Sequence, residues 1–122
     1  MPRVLITIPD QKEQPYRFTL ERQEVHLGRG SNNDIVIDCP SVSARHAVME
    51  RHGGRYQLRD LGSTNGTKIG DEPMDVIPLV HGTYAKLGDV SFVFSLSDEE
   101  KAVLDALLAR FAALEQKAEA TP

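Results

Sequence analysis

The chain has a single cysteine among its 122 residues, Cys39, which stands beside Pro40. One thiol closes no internal disulfide, so the fold must rest on packing, and a reducing, cytoplasmic setting is expected. No apolar run is long enough to read as a transmembrane helix, and no stretch reads as a signal peptide. A basic excess is missing as well: the formal net charge is −4. Binders of nucleic acid or membrane surfaces carry cations to face phosphates, so neither partner is expected. Residues 1–97 hold 11 Lys or Arg against 12 Asp or Glu, and residues 98–122 hold 3 against 6. The body is near neutral and the tail is acidic.

Motifs of catalysis and metal binding are also absent. His26, His52 and His81 stand at no metal-ligand spacing from one another or from Cys39, so no metal and no cofactor is expected. No Gly-x-x-x-x-Gly-Lys follows the glycines at Gly28 and Gly30, which excludes a Walker phosphate loop. Ser43, His46 and an Asp make a triad on paper, but no nucleophile elbow or oxyanion hole accompanies them, and an enzyme is not expected. There is no internal repeat, low-complexity tract or long linker. The length suits one domain with a core of its own plus an appendage.

What is present is strand-like alternation broken by turns. Residues 3–8 are rich in β-branched side chains, residues 16–20 alternate, and Pro9 and Pro15 bracket a polar turn between them. Val25-His26-Leu27 leads to Gly28, and residues 34–37 alternate again with Ile35 and Ile37 on one face. Residues 46–51 and 55–60 flank His52-Gly53-Gly54, where paired glycines suit a tight hairpin. After Thr67-Lys68-Ile69, the segment from Gly70 to Gly82, with Pro78 inside it, reads as turn and loop. Residues 83–87 and 90–96 then form a last hairpin, with Phe92, Phe94 and Leu96 facing the core.

Between these strands lie three polar islands. They are Gly28-Arg29-Gly30-Ser31-Asn32-Asn33-Asp34, then Ser41-Val42-Ser43-Ala44-Arg45-His46, then Leu61-Gly62-Ser63-Thr64-Asn65-Gly66-Thr67. If strands joined them at one end of a sandwich, the loops would offer a guanidinium, several hydroxyls and a carboxamide to one ligand. That set suits a phosphate flanked by an extended peptide.

The order and spacing of these residues resemble the forkhead-associated (FHA) domain. The matching residues are Gly28-Arg29, Asp34-Ile35, Ser43-x-x-His46, the run from Asp60 to Thr67, and Leu87-Gly88 before a last strand. The resemblance covers about residues 3–96 and implies an all-β sandwich of two antiparallel sheets. It implies a non-catalytic reader of phosphothreonine peptides, an adaptor or regulator in Ser/Thr kinase signalling whose partner is the kinase or its substrate. By that resemblance Arg29, Ser43 and Thr64 meet the phosphate, and Asn65 holds the peptide main chain. Ser63 lies beside the peptide, and Gly28, His46 and Gly66 support the loops. Ser31, Asn32 and Asn33 line the first loop, where they either border residues beside the phosphothreonine or serve as ordinary turn polarity.

The residue after the serine is often basic in the family and adds a phosphate contact, whereas here it is Ala44. A charged hydrogen bond is worth about 1.5 to 3 kcal/mol, so its loss would weaken binding roughly tenfold or more. That departure keeps open a phosphate-independent adaptor.

At Ser97 the period changes from two to 3.6, and Ser97 with Glu100 has the spacing of a capping box. A helix over 98–118 is expected, its apolar stripe made of Val103, Leu104, Leu107, Leu108, Phe111 and Leu114. The FHA-like body is taken as 1–97 and the helix with a frayed Thr121-Pro122 tail as 98–122. The stripe is open to packing on its own sandwich, on a second copy as in an oligomeric scaffold, or on a partner.

Overall fold

The computed structural model of the protein describes residues 2–9, 14–17 and 23–119, with side chains at 2–9 and 23–109. Its strands are β1 (Arg3–Thr7), β2 (Gln14–Arg17), β3 (Glu24–Gly28), β4 (Ile35–Val36), β5 (Ala47–His52), β6 (Arg55–Asp60), β7 (Thr67–Ile69), β8 (Glu72–Pro73), β9 (Val76–Leu79), β10 (Tyr84–Leu87) and β11 (Val90–Ser95). They form one sheet in the order β2-β1-β11-β10-β7-β8 and a second in the order β4-β3-β5-β6-β9. All pairings are antiparallel except the short β3/β4 contact. This is the two-sheet sandwich that the resemblance implies.

Alternation builds the core because successive side chains of a strand point to opposite faces. Along β11, Phe92 and Phe94 are fully buried while Ser91, Val93 and Ser95 are half-buried. Val4 and Ile6 of β1 and Leu87 of β10 line the same inner face, and Leu27, Met49, Leu58 and Leu79 come from the opposite sheet. The sheets touch where Tyr56 of β6 meets Phe94 of β11, with ring centroids 5.4 Å apart and planes inclined by 46°. Such tilted aromatic pairs add about 0.5 to 1.5 kcal/mol beyond the area they bury.

Three segments differ from the sequence expectation. Residues 72–73, read as turn and loop, form the short strand β8 paired with β7. Residues 76–79, read as loop around Pro78, form the edge strand β9, with Ile77 and Leu79 buried and Pro78 opposite Gln57 of β6. An edge strand has one unpaired side, so a residue without an N–H is tolerated there. The expected strand over 34–37 shortens to Ile35–Val36, although Ile35 and Ile37 are both buried as one face requires. Of the expected strand over 16–20, residues 16–17 belong to β2 and the rest lie outside the described residues, as does Thr121-Pro122.

The β5–β6 hairpin positions the site. Its register runs unbroken from His52↔Arg55 at the glycine turn to Ala47↔Asp60 at the base. The amide of Leu61 then donates to the carbonyl of His46. One hairpin therefore delivers the ends of two polar islands, 41–46 and 61–67, to the same end of the sandwich.

The C-terminal helix, α1 (Asp98–Glu119), starts with a reciprocal cap: the Ser97 amide donates to Glu100 Oε1 at 3.0 Å, and the Glu100 amide to Ser97 Oγ at 3.2 Å. Leu104 is buried in the core, Leu108 packs partly against it, and Leu107 lies over Gly54 of the hairpin turn. The helix's first turns thus dock on its own sandwich and flank a cavity of about 290 Å³ beside Tyr56, Leu96 and Leu104. Val103 borders the same cavity at its mouth and is 71% exposed. Phe111 and Leu114 carry side chains outside those described. The helix sits at the hairpin's tip, and the islands sit roughly 17 Å away at its base, given the strand rise per residue.

Candidate functional site

Backbone pairing joins the first two islands. The amide of Arg29 donates to the Ser43 carbonyl at 2.9 Å, and the amide of Gly30 to the Ala44 carbonyl at 3.1 Å. Gly28 allows this approach, because a Cβ there would collide with the Ala44 carbonyl oxygen. Asn33 completes the seam: it is buried, and its Nδ2 donates to the carbonyls of Gly30 and Ala44, each at 2.7 Å. This corrects the expectation that Asn33 lines the loop for a ligand, since a side chain enclosed between two loops is not offered to solvent. Ser31 and Asn32 are exposed at the tip of the loop, and so is Arg29. Among the described residues nothing polar engages the Arg29 guanidinium.

His46 joins the second island to the third. Its ring is fully buried, Nδ1 lies 3.1 Å from the Ser43 amide and Nε2 lies 3.0 Å from the Gly66 carbonyl. An amide only donates and a carbonyl only accepts, so the ring is neutral with its proton on Nε2. Burial holds this imidazole below its ordinary 6.5, against the weaker opposing pulls of the Gly66 carbonyl and the Asp60 charge. The second link is at the surface, where the Thr64 amide donates to Ser43 Oγ at 3.0 Å.

The third island is shaped from beneath by Asp60. Its carboxylate accepts from the amides of Gly62 and Ser63 at 2.9 and 3.0 Å, and from the hydroxyls of Ser63 and Thr67. Burial works to raise this carboxyl, but the four donors outweigh it and hold it below its ordinary 3.8. Ser63 Oγ also accepts the Gly66 amide at 3.0 Å. The Ser63 hydroxyl is therefore committed to the inside of its own loop, while Thr64 and Asn65 stand exposed on the outside. Asn65 Nδ2 donates to the Ser41 carbonyl at 2.8 Å, which ties the carboxamide to the second island.

A fourth segment joins the site. At the β10–β11 turn, Gly88 has φ 61° and its amide donates to the Gly66 carbonyl at 3.2 Å. A Cβ at Gly88 would strike Ser41, so both its left-handed backbone and its close approach require glycine. The next amide, of Asp89, donates to Ser41 Oγ at 2.9 Å. Sequence reading singled out neither Asp60 nor Ser41 as an organiser of the loops. The Asp60-to-Thr67 spacing carried a signal for the first, whereas nothing local to Ser41 foretold contacts with residues 24 and 48 positions away.

A β-sandwich whose loops converge at one end on an arginine that no described residue engages, surface hydroxyls and a carboxamide belongs to the class of loop-presented ligand-binding modules. More specifically, the chain belongs to the FHA domain family, whose family model matches residues 25–88. Glycogen accumulation regulator GarA of Mycolicibacterium smegmatis is 38% identical over 78 residues, covering 64% of this chain and 49% of that protein. The oxoglutarate dehydrogenase inhibitor of Corynebacterium jeikeium is 36% identical over 84 residues, covering 69% and 58%. The chain spans about half the length of the curated relatives it matches. A structure solved for phosphothreonine-dependent FHA domain interactions superposes with a TM-score of 0.66 at 26% identity, covering 78% of this chain and 97% of that one.

Proposed function

We propose that the protein is a non-catalytic module that binds phosphothreonine peptides and acts as an adaptor or regulator in Ser/Thr kinase signalling. The observation that carries this reading is the joining of all three islands around an Arg29 guanidinium that no described residue engages. A guanidinium fork pairs with two phosphate oxygens at once. Ser43 Oγ accepts from Thr64 and keeps its own proton to donate, which suits a third phosphate oxygen. Thr64 stands beside it. The Asn65 amide donates and accepts at once, so it can exchange the Ser41 carbonyl for the main chain of an extended peptide. Ser31 and Asn32 would border flanking residues, and Ser63 would act through the loop it holds.

Regulation by binding accords with relatives named a regulator and an inhibitor. The partner would be a protein carrying phosphothreonine. Among the described residues no cluster could hold a metal and no helix is long and apolar enough to cross a membrane, so the reading calls on neither. Self-association through 98–118 has less in its favour, because Leu104 and Leu108 face their own sandwich.

The test is a calorimetric titration of degenerate phosphothreonine, phosphoserine and unphosphorylated peptide pools against wild type and Arg29→Ala. Saturable binding of the phosphothreonine pool alone, lost in the variant, is expected. Equal binding of all three pools, or none, would overturn the reading in favour of a phosphate-independent adaptor.

A further inference from the structure

The site has a second charged pole. Arg29 lies on the first island. At the second island, Asn65 donates to the Ser41 carbonyl and the Asp89 amide donates to the Ser41 hydroxyl, so Asp89 stands two hydrogen bonds from the carboxamide. The turn that carries Asp89 cannot drift from this place. Gly88 presses on Ser41, and its amide is held by the same Gly66 carbonyl that anchors His46. The Asp89 side chain is exposed, and among the described residues nothing pairs with its carboxylate. An anion carried on an anchored turn beside the proposed phosphate site does nothing for the phosphate itself, which it repels. It selects instead for what lies beside the phosphate.

We propose that Asp89 is a specificity residue, and that the protein prefers phosphothreonine peptides carrying a lysine or arginine on the Asp89 side of the phosphothreonine. The inference rests on the phosphothreonine reading above and deepens it. Arg29 takes the dianionic phosphate, Asn65 fixes the main chain between the poles, and Asp89 pairs with a cationic side chain. An acidic residue in that place meets like charge and is disfavoured. The pair is exposed, so its effect is modest, about two- to fivefold in affinity. It also weakens as salt rises, unlike the enclosed contacts of His46 and Asn33.

The experiment walks a single Lys or a single Glu through the positions flanking phosphothreonine in an otherwise alanine-rich peptide. Affinities are read by competition fluorescence anisotropy at low and high salt, for wild type, Asp89→Asn and Asp89→Lys. The side chain of Asp89 is exposed and no described residue pairs with it, so both variants keep the loop. At one position wild type should favour Lys over Glu severalfold at low salt, Asp89→Asn should lose that preference, and Asp89→Lys should reverse it. Wild-type and variant profiles that coincide overturn the role of Asp89 while the phosphothreonine reading stands. Failure of every phosphorylated peptide to bind wild type overturns both.

Discussion

The Thr64 amide donates to Ser43 Oγ across 3.0 Å, joining two loops whose residues are 21 apart in the chain. This bond uses a lone pair of the hydroxyl and leaves the proton available. The two loops are thus joined without a ligand, and preorganisation of this kind lowers the ordering cost of binding.

On the proposed reading, Ser43→Ala removes one donor to the phosphate and leaves the Thr64 amide to water. Affinity for a phosphothreonine peptide is expected to fall about tenfold to a hundredfold, as for loss of one hydrogen bond to a charged group. Because the bond to Thr64 is exposed, the denaturant midpoint should move little. Isothermal titration and urea unfolding on the same preparation check both halves. A large stability loss would mean that Ser43 mainly holds the loops.

His46 makes the loops acid-sensitive. Its folded value lies below the ordinary 6.5 because the ring is buried, so the unfolded chain takes up a proton at a pH where the folded one does not. When the unfolded state binds more protons, stability rises with pH. The contribution of His46 is therefore complete above about 6.5 and is lost as pH falls from there towards the depressed folded value. The slope from one such proton is at most about 1.4 kcal/mol per pH unit. Urea midpoints measured across this range for wild type and His46→Gln should diverge at neutral pH and converge in acid. Parallel curves would remove His46 as the cause. Peptide binding should weaken over a similar range for a second reason, since phosphothreonine loses its second charge near pH 6.

Asp60→Asn keeps the shape of the side chain and removes its charge. The carboxylate accepts four hydrogen bonds, two of them from the Ser63 and Thr67 hydroxyls, and Thr67 is buried. An amide accepts at only one of its two ends, so about half of these bonds have no acceptor. A loss of about 2 kcal/mol in stability is expected, together with weaker peptide binding as Thr64 and Asn65 lose their footing. Amide exchange at Gly62 and Ser63 should quicken at the same time. Unchanged exchange there would deny Asp60 its organising role.

Leu104→Ala tests the helix apart from the site. Leu104 is 5% exposed and belongs to the core, so its truncation should destabilise the fold by about 2 to 4 kcal/mol. The helix docks at the hairpin tip, away from the loops, so peptide affinity measured well below the melting temperature should not change. A matching loss of affinity would show that the helix and the loops are coupled. Solution mass should stay that of one chain for wild type and variant alike.

Most of the strands along the chain, the tight turn at Gly53-Gly54, the capping box at Ser97 and Glu100, and the three polar islands were legible without coordinates. Each is a local signal: a period of two or 3.6, a residue needing positive φ, or a donor and acceptor three residues apart. Strand β9 was not legible, because Pro78 reads as a breaker until one knows that the strand lies at an edge. The inward turn of Asn33 and Ser63 was hidden as well. Polar residues in a loop look alike until packing decides which face solvent, and burial permits a polar group only where partners such as the Gly30 and Ala44 carbonyls are waiting. The sequence by itself determined which chemical groups this protein can present and roughly where the chain turns. Only the tertiary structure decided that the Gly88-Asp89 turn belongs to the site, since pairings between Ser41 and Asp89, 48 residues apart, are set by how two sheets close and leave no local trace.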